Sequence, residues 1–228
     1  MQEPEKPSSE ASREERLAEK RRLMVSEQLR SRGIRDERVL DAMLRVPRHE
    51  FLETEFEEQA YEDHPIPIGS GQTVSQPYIV AAMLESLNIG PGDTVLEVGT
   101  GSGYQSALLS LLAARVYSIE RHPELAEEAQ RRLERLGYRN VMVFVGDGSQ
   151  GLSEYAPFDE ITVGAAAPRV PDALFQQLGN GGRMILPVGN SETQELWLVT
   201  KENGKPMVKR MEACRFVPLI GSQGFIVE

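Results

Sequence analysis

Three points along this chain set glycine or carboxylate chemistry at the end of a strand-like run. Gly99, Gly101 and Gly103 fall in VLEVGTGSGYQSALL, where an apolar run gives way to a helical pattern. A glycine turn there lets backbone N–H groups approach a ligand closely. The spacing is G-x-G-x-G with Tyr at 104, so the dinucleotide pattern G-x-G-x-x-G fails at its last glycine. Glu120 ends the run VYSIE, 21 residues after Gly99, and an acid there can accept both hydroxyls of a ribose. Asp147 follows VMVFV in the turn Gly146-Asp147-Gly148, where it could accept from the exocyclic amine of a base. Each has a plainer reading alone: strand–helix packing for the glycines, a surface acid for Glu120, an ordinary Asp-Gly turn for Asp147. At three successive strand ends they describe a nucleoside pocket without pyrophosphate machinery. Glu97 lies within the first strand, two residues before Gly99. It could orient the turn or an amino group, since burying it without a partner would be costly.

These residues need a sheet to hold them. From Thr94 the pattern alternates: strands at 94–98, 116–120, 141–148, 158–168 and 181–189, with helices at 99–114, 122–138 and around 172–178. It predicts a Rossmann-like, doubly wound α/β fold with a mostly parallel sheet. Asn203-Gly204 between ELWLVTKE and KPMVKRM predicts an antiparallel hairpin at one edge of that sheet. Upstream, a helix over 12–32 stops at Gly33, and a second, capped by Asp36, carries Val39, Leu40, Met43 and Leu44 before Pro47 ends it. These form an N-terminal helical extension. YEDHPIPIG, with prolines at 65 and 67, is extended or turning. The expected organisation is a disordered Pro/Ser/Glu-rich tail at 1–10, a helical and loop region packed on the core at 11–70, and a cofactor-binding domain at 71–228.

Composition narrows the partners. The 228 residues carry 35 acidic and 25 basic side chains, a net charge of −10. The one dense basic cluster, REERLAEKRR, is interrupted by glutamates and suits a solvated helix face. Nucleic acid is therefore not an expected partner. No apolar run approaches the roughly 20 residues of a spanning helix, and MQEPEKPSSEASREER has no apolar signal region. The single cysteine, Cys214, excludes an internal disulfide and suits a reducing cytosol. A cytoplasmic monomer, off the membrane, is expected. His49, His64 and His122 are scattered, with no metal-ligand spacing.

Residues 71–77, GQTVSQP, are polar, uncharged and loop-like, and precede the apolar helix PYIVAAMLESL. Ser75 suits its N-cap, where a hydroxyl, backbone N–H groups and the helix dipole would make an anion site; Pro77 removes one of those N–H groups. The glycine turn with its two strand-end acids resembles the class I S-adenosylmethionine-dependent methyltransferases. YEDHPIPIGSGQTVSQP, VLEVGTGSGYQSALL, VYSIE, LGYRNVMVFVGDG, APFDEITVGAAAP, GGRMILPVG and FVPLIG together, from about Val25 to Gly221, resemble the protein-L-isoaspartate (D-aspartate) O-methyltransferases. That resemblance implies methyl transfer from S-adenosylmethionine, leaving S-adenosylhomocysteine, to the free α-carboxylate of L-isoaspartyl and D-aspartyl residues in damaged proteins. It implies Ser75 as the active-site serine, holding the acceptor without covalent attack. Gln72, Thr73, Val74, Ser75, Glu97, Gly99, Thr100, Gly101, Ser102, Gly103, Glu120, Arg121, Asp147 and Gly148 would meet the cofactor. Ser75, Ala165, Ala166, Ala167 and Val217 would meet the substrate. The chain departs from the family's usual His at Ser70 and Thr at Gly164.

An acceptor carboxylate is ionised at neutral pH, with a reference pKa near 3.9, so no general base is required. Neutral donors would align it without trapping it. Three other readings fit parts of the pattern: a methyltransferase acting on a small molecule or RNA, a non-enzymatic nucleoside-binding module, and an NAD-dependent oxidoreductase, which the missing glycine at 104 disfavours.

Overall fold

The computed structural model describes residues 9–226. The N-terminal extension opens with α1 (Ser9–Leu23), which starts inside the span assigned to the tail; residues 1–8 lie outside the described residues. A wide π-type turn, Met24–Arg30, continues α1, and Gly33, at φ 108°, ends it. α2 (Glu37–Arg45) begins at Asp36, whose side chain accepts from the Arg38 N–H. Two short strands, β1 (Ile66–Gly69) and β2 (Gln72–Val74), then pair antiparallel. The loop expected over GQTVSQP is therefore corrected at Gln72–Val74, which is a strand. Its tip passes through Gly69, Ser70 and Gly71, all at positive φ, a turn that two glycines make accessible.

After α3 (Pro77–Leu87) comes the main sheet: β3 (Thr94–Val98), β4 (Arg115–Glu120), β5 (Val141–Val145), β6 (Phe158–Val163), β7 (Leu178–Gly189), β8 (Gln194–Glu202) and β9 (Lys205–Cys214). Its order is β5-β4-β3-β6-β7-β8-β9. The first five are mutually parallel, and β8 and β9 are antiparallel neighbours at one edge. Asn203 and Gly204, at φ 51° and 78°, turn the edge hairpin, as type I′ geometry requires. α4 (Tyr104–Leu112), α5 (Pro123–Arg135) and α6 (Asp172–Gln177) connect the parallel strands.

Strand side chains alternate between faces, and the core divides accordingly. Val95, Val116, Ile185 and Leu196 join one cluster with Leu17, Leu40, Leu84 and Leu108 from the N-terminal helices, α3 and α4. Their neighbours Leu96, Tyr117, Met184 and Trp197 join a second, with Leu174 of α6 and Leu219. The first cluster runs from Leu17 to Leu196, so the helices before residue 70 and the sheet share one core. The chain winds from β3 outward to β5, then returns to β6 on the other side of β3. Such a reversal leaves a crevice at the carboxyl ends of the two central strands.

Candidate active site

Gly99, Gly101 and Gly103 follow β3 at φ 93°, 54° and 90°, values that side chains other than glycine rarely adopt. The turn is held from beneath. Glu97 is fully buried; one oxygen accepts from Ser106 and, at 2.6 Å, from Ser118, whose Oγ lies 2.6 Å from Thr100 Oγ1. The other oxygen has no partner, and burial pushes the carboxyl up to about 7 against those hydroxyl bonds. Glu97 lines none of the cavities described below, and its reach to the turn is through Ser118.

Beside the turn lies a cavity of about 320 Å³, within the range of small-molecule pockets, about 300–1,000 Å³. Gly71, Gln72 and Thr73 of the β1–β2 hairpin, Gly99 and Gly101, Glu120 and Arg121, Gly148, Ala165 and the segment Val217–Ile220 line it. Glu120, 5% exposed, accepts from the Gly101 N–H at 2.9 Å through one oxygen and from the His122 N–H at 3.0 Å through the other. A carboxylate has about four acceptor positions, so two remain for a pair of ribose hydroxyls. A Cβ at Gly148 would lie 2.6 Å from Val98 Cγ1, so a side chain there would force Val98 to shift. His122 is placed here by the chain that leaves Glu120. It precedes α5, and it also lines the cavity.

Asp147 is differently engaged from expectation. Oδ1 accepts from Ser149 N–H and Oγ at 2.9 and 2.6 Å, and Oδ2 from Ser222 N–H and Oγ at 2.8 and 2.9 Å. Burial opposes its ionisation, but the Ser149 and Ser222 bonds outweigh that and hold its carboxyl below the usual range. Through these four bonds Asp147 fastens the C-terminal turn beside the cavity. Gly148, Ile119, Leu219 and Ile220 are what line the cavity near it.

A smaller cavity of about 50 Å³ against Thr73, Val74, Ser75 and Gly99–Ser102 adjoins the glycine turn. A cleft of about 360 Å³ is lined by Thr73, Ser75, Gln76, Gly164, Arg215, Val217 and neighbours. Thr73 and Gly164 line all three spaces, so this is where they meet. A Cβ at Gly164 would come no closer than 3.5 Å to the Gly99 and Val98 carbonyls, so a side chain there would fit and narrow the junction. Ser70, at the hairpin tip, donates to Glu124 at 2.9 Å and ties the tip to α5.

Ser75 borders the cleft, half-buried, its hydroxyl engaged in no hydrogen bond among the described residues. It is not the N-cap of α3. That position is Gln76, and the helix start is served by Asp63, which accepts from Tyr78 N–H at 3.1 Å and from Gln76 Nε2 at 2.7 Å while pairing with Arg32. The helix start expected to hold an anion already holds one. Of the expected substrate contacts, Ala165 and Val217 line the cavities. Ala166 and Ala167 do not; they are fully buried and bridged by backbone to Val217, Leu219, Pro187 and Gly189. Gly103 also faces away, its missing side chain against Ala129 and Leu133.

The glycine cradle and the two spare acceptor positions of Glu120 fit an adenosine cofactor. A nucleoside-sized pocket at this switch point, opening onto a separate acceptor cleft, puts the chain in the class of S-adenosylmethionine-dependent methyltransferases. Within it the chain belongs to the protein-L-isoaspartate(D-aspartate) O-methyltransferase family, whose profile matches residues 19–224. A protein-L-isoaspartate O-methyltransferase from Koribacter versatilis is 58% identical over 202 residues, 89% of this chain and 91% of that one. One from Petrotoga mobilis is 51% identical over 206 residues, covering 90% and 97%. A solved protein-L-isoaspartate O-methyltransferase superposes with TM-score 0.81 at 32% identity, over 90% of this chain and 67% of that one. A Plasmodium falciparum β-aspartate methyltransferase, solved with S-adenosyl-L-homocysteine, gives 0.77 at 29% identity, over 88% and 98%.

Proposed function

We propose that this chain transfers a methyl group from S-adenosylmethionine to the free α-carboxylate of L-isoaspartyl, and also D-aspartyl, residues in damaged proteins, beginning repair through a succinimide. The observation that carries it is the charge of the acceptor cleft. Among its lining residues stand one cation, the exposed Arg215, and no carboxylate. A cleft with hydroxyl and amide walls, open at the junction with the cofactor cavity, suits an anionic acceptor on a peptide.

S-adenosylmethionine, when bound, supplies an electrophilic methyl group on a sulfonium centre. Glu120 would hold its ribose, the Gly99–Gly101 turn its amino-acid portion, and Ile119, Leu219 and Ile220 its base. Ser75 and Thr73 would position the acceptor by hydroxyl hydrogen bonds. No group has to remove a proton, because the acceptor is already ionised. The reaction unites opposite charges, so a contact cation would stabilise the ground state more than the transition state. The uncharged stretch Gln72–Gln76 avoids that.

We further take the protein to act as a cytoplasmic monomer without a nucleic-acid partner. The acid excess supports the last point, and among the described residues no helix is long and apolar enough to cross a membrane. The division into 1–10, 11–70 and 71–228 remains our reading of its organisation. The decisive test supplies labelled S-adenosylmethionine with paired isoaspartyl and aspartyl peptides. Label is expected only in the isoaspartyl member and in D-aspartyl analogues; equal labelling of both peptides, or none, rejects the proposal.

A further inference from the structure

Arg48 is fully buried and heads the buried side chains by volume. It opens a single 3₁₀ turn, Arg48–Phe51, in the N-terminal region. Its Nε donates to the Ala60 carbonyl at 2.8 Å and its Nη2 to the Ser75 carbonyl at 2.9 Å. Its guanidinium carbon stands 4.8 Å from the ring centre of Tyr104, the first residue of α4 after the glycine turn. Nη1 is buried without a hydrogen-bond partner.

Volume alone does not explain this residue. A buried guanidinium with an unpartnered donor is destabilising relative to an apolar side chain of similar size. What the guanidinium adds is a rigid planar fork. One edge spans two carbonyls, at residues 60 and 75, that belong to separate segments. Its central carbon lies over the ring of the residue that follows the cofactor turn. The carbonyl of Ser75 is thus fixed while its hydroxyl stays free toward the cleft.

We propose that Arg48 is a positioning residue for methyl transfer: it locks the Ser75 peptide to the helix behind the glycine turn, so that the serine hydroxyl meets the acceptor in line with the cofactor. This rests on the reading of Ser75 given above. It assigns Arg48 no contact with substrate or cofactor.

The test is a double-mutant cycle in the full chain between Arg48→Met and Ser75→Ala, with Arg48→Lys as the conservative variant. Binding of S-adenosylhomocysteine by calorimetry is expected within about threefold of wild type for the Arg48 variants. In Arg48→Met, kcat on an isoaspartyl peptide is expected to fall on the order of 10- to 100-fold, the size of one charge-assisted hydrogen bond, with peptide KM moving less. Arg48→Lys should recover part of the loss. In the Ser75→Ala background, Arg48→Met should cost less than about threefold, because what it positions is gone. Wild-type kcat in Arg48→Met, or an undiminished loss in the Ser75→Ala background, would overturn the proposal. If Arg48→Met does not fold, Arg48→Lys runs the same cycle and the same additivity overturns it. A Ser75→Ala enzyme at wild-type rate would remove the reading of Ser75 and this proposal together. A slowed Ser75→Ala enzyme with additive Arg48 effects would remove this proposal alone.

Discussion

Glu120→Gln changes one atom and tests the cofactor pocket at its most constrained point. The carboxylate links the glycine turn to the start of α5 through Gly101 N–H and His122 N–H, at 2.9 and 3.0 Å. Glutamine offers one carbonyl oxygen and an NH₂ group. If the oxygen stays on Gly101, the NH₂ confronts the His122 N–H, donor against donor. One of the two positions left for ribose is also lost as an acceptor. One charge-assisted ribose bond, taken at about 1.5–3 kcal/mol, gives roughly a ten- to hundredfold loss in affinity. Calorimetric titration with S-adenosylhomocysteine should show a dissociation constant raised by that order. The isoaspartyl peptide's KM, extrapolated to saturating S-adenosylmethionine, should change little. A dissociation constant within about threefold of wild type would refute the assignment of the ribose to Glu120.

Arg215→Glu reverses the only charge among the residues lining the acceptor cleft. Peptide KM should rise severalfold at low salt, and the difference should shrink toward about 0.5 M salt, since an exposed charge is screened; a salt-independent change would point to altered packing. Glu97 gives a pH prediction. Its folded pKa is raised, from 4.5 to about 7, so its favourable contribution is present below pH 4.5 and lost as pH rises through 7. Relative to Glu97→Gln, wild type should lose up to about 3 kcal/mol of unfolding free energy across that window; urea titrations at pH 4.5 and 8 measure it, and a constant difference would contradict it. Gly221→Ala would set a methyl group 2.0 Å from Asp147 Oδ1, displacing the turn that Ser222 fastens. S-adenosylhomocysteine affinity should fall about tenfold as Leu219 and Ile220 loosen, whereas unchanged binding would separate that turn from the pocket.

The parallel sheet was legible because its signals are local. TVLEV is a short run bounded by turn residues and is β3 itself, and of FDEITVGAAAP, expected as a strand over 158–168, Phe158–Val163 forms β6. Asn203-Gly204 is a turn signal complete in two residues. The glycine turn and Glu120 were legible for the same reason, each sitting where a strand ends. What escaped was long-range or patternless. β2 is three residues with no apolar alternation to reveal it. Asp63 caps α3 from fifteen residues upstream, at Tyr78 N–H, so the nearest hydroxyl, Ser75, was the natural candidate. Asp147 and Ser222 are 75 residues apart, and no local feature marks Ser222 as a donor. Arg48 looks like any charged residue of a polar segment until the fold closes around it.

These misses share a physical consequence. Had Ser75 capped α3, the acceptor carboxylate would have faced a helix dipole with free N–H groups, a strong anion site. Instead Asp63 occupies that end, neutralised by Arg32, and Pro77 contributes no N–H. The full charge of Arg48 lies behind the Ser75 peptide, and Arg215 is exposed to solvent. No full charge therefore has to contact the acceptor. For a reaction whose reactants carry opposite charges and whose products are neutral, every unit of electrostatic stabilisation given to the free carboxylate is lost as the methyl transfers. Spending the helix terminus on an internal aspartate lowers that loss, and on the proposed reading it leaves alignment to hydroxyl groups, whose hydrogen bonds lose less than a contact cation would as the charge disappears.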